Sequence, residues 1–420
     1  MSTLTQTQES NGVGERLRFQ RGLQGWSQRR LADELQLLAA RSTNKSERPF
    51  SLGTIRQVEQ GTQPASAAFV ASCARALKIT QADLYDQPYP KTSRDEQLMH
   101  AGINDIRREL AAYRLPPDDV PMRPFDELTK DVERASKLRH MVKLDELGQL
   151  LPRLLHDLRV AWYSTQGTEQ ERIFGLLAEA YAATSQVVYK LGYIDLSSLA
   201  VDRYEWAAAR SGDELAVLVG DYQRAGEMIC VADWAGAERL LESSRARIES
   251  EIAAGDPAVL SVYGNLHLKS ALASARAGRK STADDHLAEA QEIAQRIGVD
   301  RDDYRLCFGP ANVDIWSVGL AVEMMDGAEA VKRAKTIRIP DGTPRERVGH
   351  HYIDLARGYL LYGDKDSAFA ALQLAKKIAP TQTRYHPMVH ETVRAAIRQE
   401  VRATDTWSGL ASWLGVKTLD

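Results

Sequence analysis

The second half of the chain repeats one helical pattern, and this repetition limits the available folds more than any other feature. A helix of small and aromatic residues leads into a short turn with Gly or Asp, and a second helix with the spacing Ala-x-x-x-Leu follows. The pattern occurs at 228–241, 272–290 and 359–375, with a looser copy at 318–334. Because one such hairpin cannot bury its apolar face alone, neighbouring hairpins are expected to stack.

Residues after 124 are dominated by Leu, Ala, Glu, Arg and Lys, which favour helix. The turns lie about 37 to 48 residues apart. This arrangement resembles tetratricopeptide repeats with lengthened loops, and the resemblance implies a right-handed α-solenoid of roughly four to six hairpins. The last segment, 392–414, carries Trp407 and Trp413 and is expected to cap the open end or to pack against a second subunit.

A second pattern lies near the N-terminus, where 51–61 reads as a short capped helix. Ser51 is the N-cap and Gly61 the stop, while Ile55 and Val58 face inward. The opposite face carries four polar residues: Thr54, Arg56, Gln57 and Gln60. Upstream, Ser27 is expected to cap another helix. Gln28 then falls in its first turn, where an anion is attracted.

Three segments in fixed order resemble the XRE (phage-repressor-like) helix-turn-helix family. They are Trp26-Ser27-Gln28-x-x-Leu31-Ala32, Ser51-x-x-Thr54-Ile55-x-x-Val58-Glu59-x-Gly61-x-x-Pro64 and Ala76-Leu77-Lys78-Ile79. The resemblance implies a five-helix domain that binds double-stranded DNA as a dimer. It places the 51–60 helix in the major groove and the side chains of Gln28 and Gln63 near phosphates.

This chain departs from the family pattern in two ways. A loop is expected at 36–50 in place of a tight turn. It either reaches along the DNA backbone or into a neighbouring minor groove, or is disordered and plays no part in binding. The side chains of Leu52 and Gly53 cannot form a hydrogen bond to a base edge. Base recognition is therefore expected from residues further along the 51–60 helix. Arg56 is expected to prefer guanine and Gln57 adenine. The predicted DNA-binding set is Gln28, Arg29, Lys45, Arg48, Ser51, Thr54, Arg56, Gln57 and Gln63.

Charge supports this division of the chain. Residues 13–80 hold eleven basic and five acidic residues, a net charge of +6, whereas the whole chain carries −3. A basic head on an acidic body suits a protein that meets phosphates with one end. Phosphate contacts are expected from the basic residues of the head: Arg16, Arg18, Arg21, Arg29, Arg30, Lys45 and Arg48.

The predicted domains are a tail at 1–12, a DNA-binding head at 13–87, a linker with one helix at 88–124, and a repeat body at 125–420. The linker helix is expected within 94–114, before the proline-rich stretch 116–124. Three cysteines without a CxxC spacing predict buried free thiols in a reducing cytoplasm. A polar N-terminus and the absence of a long apolar run predict neither signal peptide nor membrane span.

Stacked hairpins present an inner surface that suits a ligand. The candidate ligand-binding residues are Asn265, His267, Asn312, Trp316 and Tyr222, with packing or local hydrogen bonding as the alternative for each. Because the sequence has no phosphate-binding loop and no nucleophile motif, it predicts neither an enzyme nor a cofactor. No metal site is predicted, and the four-residue spacing of His386 and His390 is interpreted as a solvated helix face.

These features together predict a cytoplasmic, sequence-specific regulator of transcription. Its repeat body would sense a small ligand or signalling peptide and mediate homodimerisation. The alternative is a protein-interaction scaffold, in which the repeats bind a partner protein and the head has little DNA specificity. Leu52 and Gly53 favour that alternative.

Overall fold

The computed structural model describes residues 12–41, 49–89, 97, 100–117, 120–399 and 405–416. In these residues the chain forms twenty-one α-helices and two short 3-10 helices. The one β feature in this part of the chain is an isolated bridge between Arg301 and Phe308. The predicted all-α, solenoid-like fold is confirmed.

The head contains five helices, as the resemblance implied. They are α1 Val13–Leu23, α2 Gln28–Arg41, α3 Leu52–Gln60, α4 Ala67–Leu77 and α5 Gln81–Tyr85. Leu17, Leu31, Ile55 and Phe69 lie fully buried between them. The loop expected from residue 36 begins later, because Leu35 stays in the core and α2 continues through Arg41. Residues 42–48, which include Lys45 and Arg48, lie outside the described residues.

A short linker helix, α6 Ile103–Ala112, follows the head. It forms the second half of the predicted 94–114 helix, and most of the first half lies outside the described residues. Ile106 and Leu110 are fully buried on its inner face. At its start Gly102 touches Gly148 so closely that a Cβ would lie 2.0 Å from the Gly148 carbonyl oxygen. The linker is therefore packed onto the body.

The body is a stack of antiparallel helix pairs. The pairs are α7 Phe125–His140 with α8 Leu144–Ser164, α9 Gly167–Lys190 with α10 Ile194–Ala208, α11 Glu214–Cys230 with α12 Trp234–Ile248, α13 Pro257–Arg276 with α14 Lys280–Ile297, α15 Pro310–Glu323 with α16 Gly327–Ala334, and α17 Arg345–Tyr362 with α18 Lys365–Ile378. The predicted turns are confirmed. Asp233, Asp326 and Asp364 each accept a backbone hydrogen bond from the helix that follows, which fixes its start.

Three further helices close the stack: α19 Pro380–Tyr385, α20 Pro387–Arg398 and α21 Asp405–Leu414. Trp407 and Leu410 of α21 are buried in one apolar cluster with residues of α17 and α18, so this segment caps the last hairpin. The closing helices also contact the first helix of the chain, because the backbone amide of Val13 donates to Glu391 of α20 at 3.3 Å. No described helix is long and apolar enough to cross a membrane.

Burial corrects two expectations about cysteine and histidine. All three cysteines are free, but Cys230 is half-buried, whereas Cys73 and Cys307 are buried. The solvated face expected for His386 and His390 is wrong, because α20 packs between the linker and α17. The His390 ring is buried and stacks on Tyr89 at 4.2 Å between centroids. This burial lowers the pKa of His390 to about 3, helped by the positive charge of Arg394.

Candidate nucleic-acid interface

Helix α3 is capped at both ends and is amphipathic. The Ser51 hydroxyl accepts a hydrogen bond from the Thr54 backbone amide at 3.1 Å, and Gly61 ends the helix in the left-handed region at φ 73°. Ile55 and Val58 are buried, while Arg56 and Gln57 are exposed. The helix therefore presents a guanidinium and an amide to solvent side by side.

A buried ion pair fixes α3 against α1 and α2. Arg21 donates from Nε and Nη2 to the two carboxylate oxygens of Glu59, both at 2.9 Å. Gln28 donates from Nε2 to the same carboxylate at 2.8 Å. The Glu59 side chain is only 3% exposed, so this two-pronged contact is shielded from water. Gln28 thus has one amide hydrogen directed at Glu59, and its predicted phosphate contact stays a prediction.

The head's basic residues divide into paired and exposed groups. Arg16 pairs with Asp86 at 2.5 Å and Arg21 pairs with Glu59, and both side chains are nearly buried. These two pairs hold α1 to the rest of the head, and the phosphate contacts expected of Arg16 and Arg21 stay predictions. The exposed arginines on the described part of the head are Arg18, Arg29, Arg30, Arg41, Arg56 and Arg75. Of these, Arg29 makes a loose exposed pair with Asp33 at 3.5 Å.

Other predicted DNA-contact positions lie at the two ends of α3. Ser51 is exposed and Thr54 is half-buried, with their hydroxyl oxygens 3.1 Å apart. Gln63 is half-buried in the turn after α3, where its backbone amide donates to the Gln57 carbonyl at 3.3 Å. Ser51, Thr54, Arg56, Gln57 and Gln63 therefore belong to one helix and its flanking turns. Their contact with DNA stays a prediction.

The head is docked on the body through α4 and the segment that follows α5. Arg75 of α4 donates to the Ala232 carbonyl at 2.5 Å, in the turn between α11 and α12. Ala68 and Ala71 of α4 lie within the apolar cluster of the body. Gln87 donates to the Tyr385 carbonyl at 3.4 Å. Exposed Arg56 and Gln57 take no part in these contacts.

Helix α20 brings two more arginines to the head, which the sequence pattern did not indicate. Arg398 lies over Gly61, where a Cβ would be 2.3 Å from its Nη1, and it pairs with Glu15 at 3.4 Å. Arg394 lies beside Gly12 and pairs with Glu391 at 2.8 Å. Positive charge beside the end of α3 therefore comes partly from the last helices of the chain. No local motif could have revealed it.

The five candidate ligand-binding residues have different surroundings. Asn312 is buried, donates to the Cys307 carbonyl at 2.5 Å, and accepts from Arg347, whose guanidinium lies 5.6 Å from the Trp316 ring. Asn265 is buried and donates to the Ser261 carbonyl of its own helix at 3.1 Å. These contacts show local hydrogen bonding for both asparagines. A ligand contact stays a prediction.

The remaining two candidates lie on α13 and α11. His267 faces His286 with their Nδ1 atoms 3.1 Å apart, and burial together with Arg245 lowers the pKa of His267 to about 3. The ring of Tyr222 is covered by the Lys269 ammonium at 4.1 Å. Since the neutral form of His267 is favoured, it can donate and accept hydrogen bonds at ordinary pH but does not attract anions.

Comparisons with known proteins give loose similarities. No protein-family model and no curated protein matches the chain. The crystal structure of BtubC (BKLC) from P. vanneervenii is 18% identical, with a TM-score of 0.35, over 62% of this chain and 94% of that one. Bacillus thuringiensis PlcR, crystallised with the peptide PapR7 and DNA, is 15% identical, with a TM-score of 0.29, over 68% of this chain and 95% of that one.

Proposed function

We propose that this chain is a sequence-specific, double-stranded DNA-binding regulator of transcription that acts as a homodimer in the cytoplasm. The observation that carries the proposal is α3, a capped helix held by the Arg21–Glu59 pair with Arg56 and Gln57 exposed on its outer face. Guanidinium and amide groups are the side chains that read guanine and adenine in the major groove. The proposal includes no catalytic step and no cofactor.

The homodimer is supported by an apolar surface on the head. Phe19 and Leu23 lie four residues apart on α1 and are both more than half exposed. Large apolar side chains exposed in a group favour an interface. A single small head binds DNA weakly, whereas two heads on a repeated or palindromic site gain from joint binding.

The body is proposed to sense a small ligand or a peptide through the position of the head. Hydrogen bonds from the head reach the body at Ala232, Tyr385 and Glu391. If DNA and a ligand each bind one arrangement of head and body more tightly than another, the ligand changes DNA affinity by at most its own difference in binding free energy between the two arrangements. Candidate contacts for that ligand remain Asn265, His267, Asn312, Trp316 and Tyr222.

The proposal is tested by the salt dependence of DNA binding. Full-length protein is titrated onto duplex DNA at several salt concentrations, because each phosphate contact releases a counterion and steepens the dependence. Arg29→Ala is expected to lower the slope of log affinity against log salt by about 1. The matched control is Arg108→Ala, an exposed arginine on α6 that is expected to leave the slope unchanged. A flat salt dependence in the unmodified protein would remove the regulator proposal.

A second candidate is a protein-interaction scaffold. The observation that favours it is the extensive docking of the head on the body, together with Leu52 and Gly53 at the start of α3. In a scaffold the head would serve mainly to close the stack. This candidate predicts weak DNA binding without sequence preference.

A further inference from the structure

The loop between α14 and α15, residues 298–309, reaches across to earlier hairpins. Tyr304 donates its hydroxyl to Asp213 at the start of α11 at 2.8 Å, and Arg305 pairs with Glu179 of α9 at 2.8 Å. The loop, called the cross-loop below, also places Asp302 against His140, the last residue of α7. Side chains 162 positions apart in the sequence thus meet at one point.

The cross-loop is held in one shape by its own contacts. Arg301 and Phe308 exchange two backbone hydrogen bonds, at 2.7 and 2.9 Å. The Phe308 ring is fully buried against Gly264, where a Cβ would lie 2.0 Å from the ring. Gly309 has a φ of 149°, and a Cβ there would lie 2.5 Å from Asp300. Asp302 directly follows Arg301, and Cys307 directly precedes Phe308. The bridge between Arg301 and Phe308 therefore holds Asp302 and Cys307 next to each other.

The same loop carries backbone strain. Tyr304, Arg305 and Cys307 all have positive φ, at 51°, 60° and 52°. Non-glycine residues rarely adopt this conformation, and it is energetically unfavourable at each of the three positions. Such strain persists where the surrounding structure enforces a particular arrangement of side chains.

We propose that His140, Asp302 and Cys307 form a binding site for a divalent metal ion of the zinc type. The His140 Nε2 lies 2.9 Å from one Asp302 oxygen, and the Cys307 sulfur lies 3.2 Å from the other. One nitrogen, oxygen and sulfur donor of the three lie within 4.8 Å of one another. Zinc binds this combination of donors, and three protein ligands leave a fourth position for water or another ligand.

The surroundings allow an ion to enter and stay. Asp302 is about one-third exposed, whereas Cys307 lies buried behind it, so solvent reaches the site from the carboxylate side. Binding converts the Cys307 thiol to a metal-bound thiolate and releases its proton to solvent. Arg305 lies 3.8 Å from Asp302 and is also paired with Glu179, and Arg139 brings a second positive charge to the loop by donating to the Arg305 carbonyl. The thiolate and the carboxylate together balance the charge of the ion.

A bound ion would join His140 of the first hairpin to Asp302 and Cys307 of the cross-loop. It would therefore connect the first hairpin to the loop that follows the fourth. The carboxylate hydrogen bonds would be replaced by metal bonds in nearly the same place. This role does not depend on DNA binding, since it concerns only the body.

Cobalt(II) titration of the full-length protein tests the site. We expect one Co²⁺ per chain, a sulfur-to-cobalt charge-transfer band, and displacement of that band by Zn²⁺. Cys307→Ser is expected to abolish the band, whereas the control Cys230→Ser keeps it, because Cys230 is half-buried away from this cluster. A wild-type protein without the band, or a band that survives Cys307→Ser, overturns the proposal.

A second pair of variants guards against misfolding of the serine variant. His140→Gln and Asp302→Asn approximately preserve size, and Asp302→Asn keeps one of the two acceptor oxygens. Each is expected to weaken Co²⁺ binding at least about tenfold. Zn²⁺ is expected to raise the thermal unfolding midpoint of the wild type and to have little effect on either variant. Unchanged Co²⁺ affinity in both variants contradicts the proposal.

Discussion

Replacing Glu323 with alanine is expected to destabilise the body by about 3–5 kcal/mol, because it leaves two buried arginines without their shared partner. Glu323 ends α15, and its carboxylate accepts from Arg276 of α13 at 2.9 Å and from Arg357 of α17 at 3.0 Å. Its side chain is 6% exposed. Burial alone would raise the pKa of this carboxyl group, but the two guanidinium groups outweigh burial and hold its pKa well below the usual value.

This ion cluster connects three successive hairpins, so its loss is expected to loosen more than one interface. Denaturant unfolding of the full chain measures the effect. The matched control is Glu329→Ala, which removes a half-buried pair with Arg333 and an exposed pair with Lys332. Because Arg333 keeps its pair with Asp284, the expected cost is about 0–1 kcal/mol. Equal effects of the two substitutions would contradict the burial argument.

Replacing Glu59 with alanine is expected to destabilise the head by about 3–5 kcal/mol and to abolish DNA binding. The Arg21 guanidinium would remain nearly buried at the junction of α1 and α3 without a counter-charge. Gln28 would also lose its acceptor. Because α3 is positioned by this pair, its exposed face would no longer be held in a fixed orientation.

Two measurements separate the consequences of Glu59→Ala. Amide hydrogen exchange in α3 reports the loss of stability in the head, and titration with duplex DNA reports the loss of affinity. Faster exchange is expected in α1 to α3, with little change in α13 to α17 of the body. Asp33→Ala serves as the control, because its pair with Arg29 is exposed and is expected to contribute about 0–1 kcal/mol. Glu59→Ala protein with unchanged α3 exchange and unchanged DNA affinity would contradict this role.

The sequence predicts well what depends on neighbouring residues. Ser51 and Gly61 mark the ends of α3 because capping and left-handed backbone are local preferences. The repeated turns at Asp233, Asp326 and Asp364 follow from the same kind of local chemistry. Stacking then follows from the apolar faces of the hairpins.

Side-chain pairing over longer distances was not predicted. Arg16 and Arg21 count as positive charges in the sequence, but the fold gives each a carboxylate partner. For Glu59 a signal existed, since it lies four residues after buried Ile55 and therefore on the inner side of α3. Contacts between residues that only the stacking of hairpins brings together leave no comparable pattern in the sequence.

The docked head and the His140, Asp302 and Cys307 cluster belong to this last class. Arg75 meets Ala232 across 157 positions, and His140 meets Asp302 across 162. No spacing rule connects residues so far apart. Their proximity depends on the stacking of the hairpins and on the path of the cross-loop.

Selection of random duplex DNA by the full-length protein tests the regulator proposal most directly. The wild type is compared with the double variant Arg56→Ala/Gln57→Ala and with the control Arg108→Ala. We expect the wild type and the control to enrich a repeated or palindromic half-site, and the double variant to lose it, since each contact contributes about 1–3 kcal/mol of discrimination. No enrichment by the wild type, or the same motif from the double variant, would contradict DNA reading by α3.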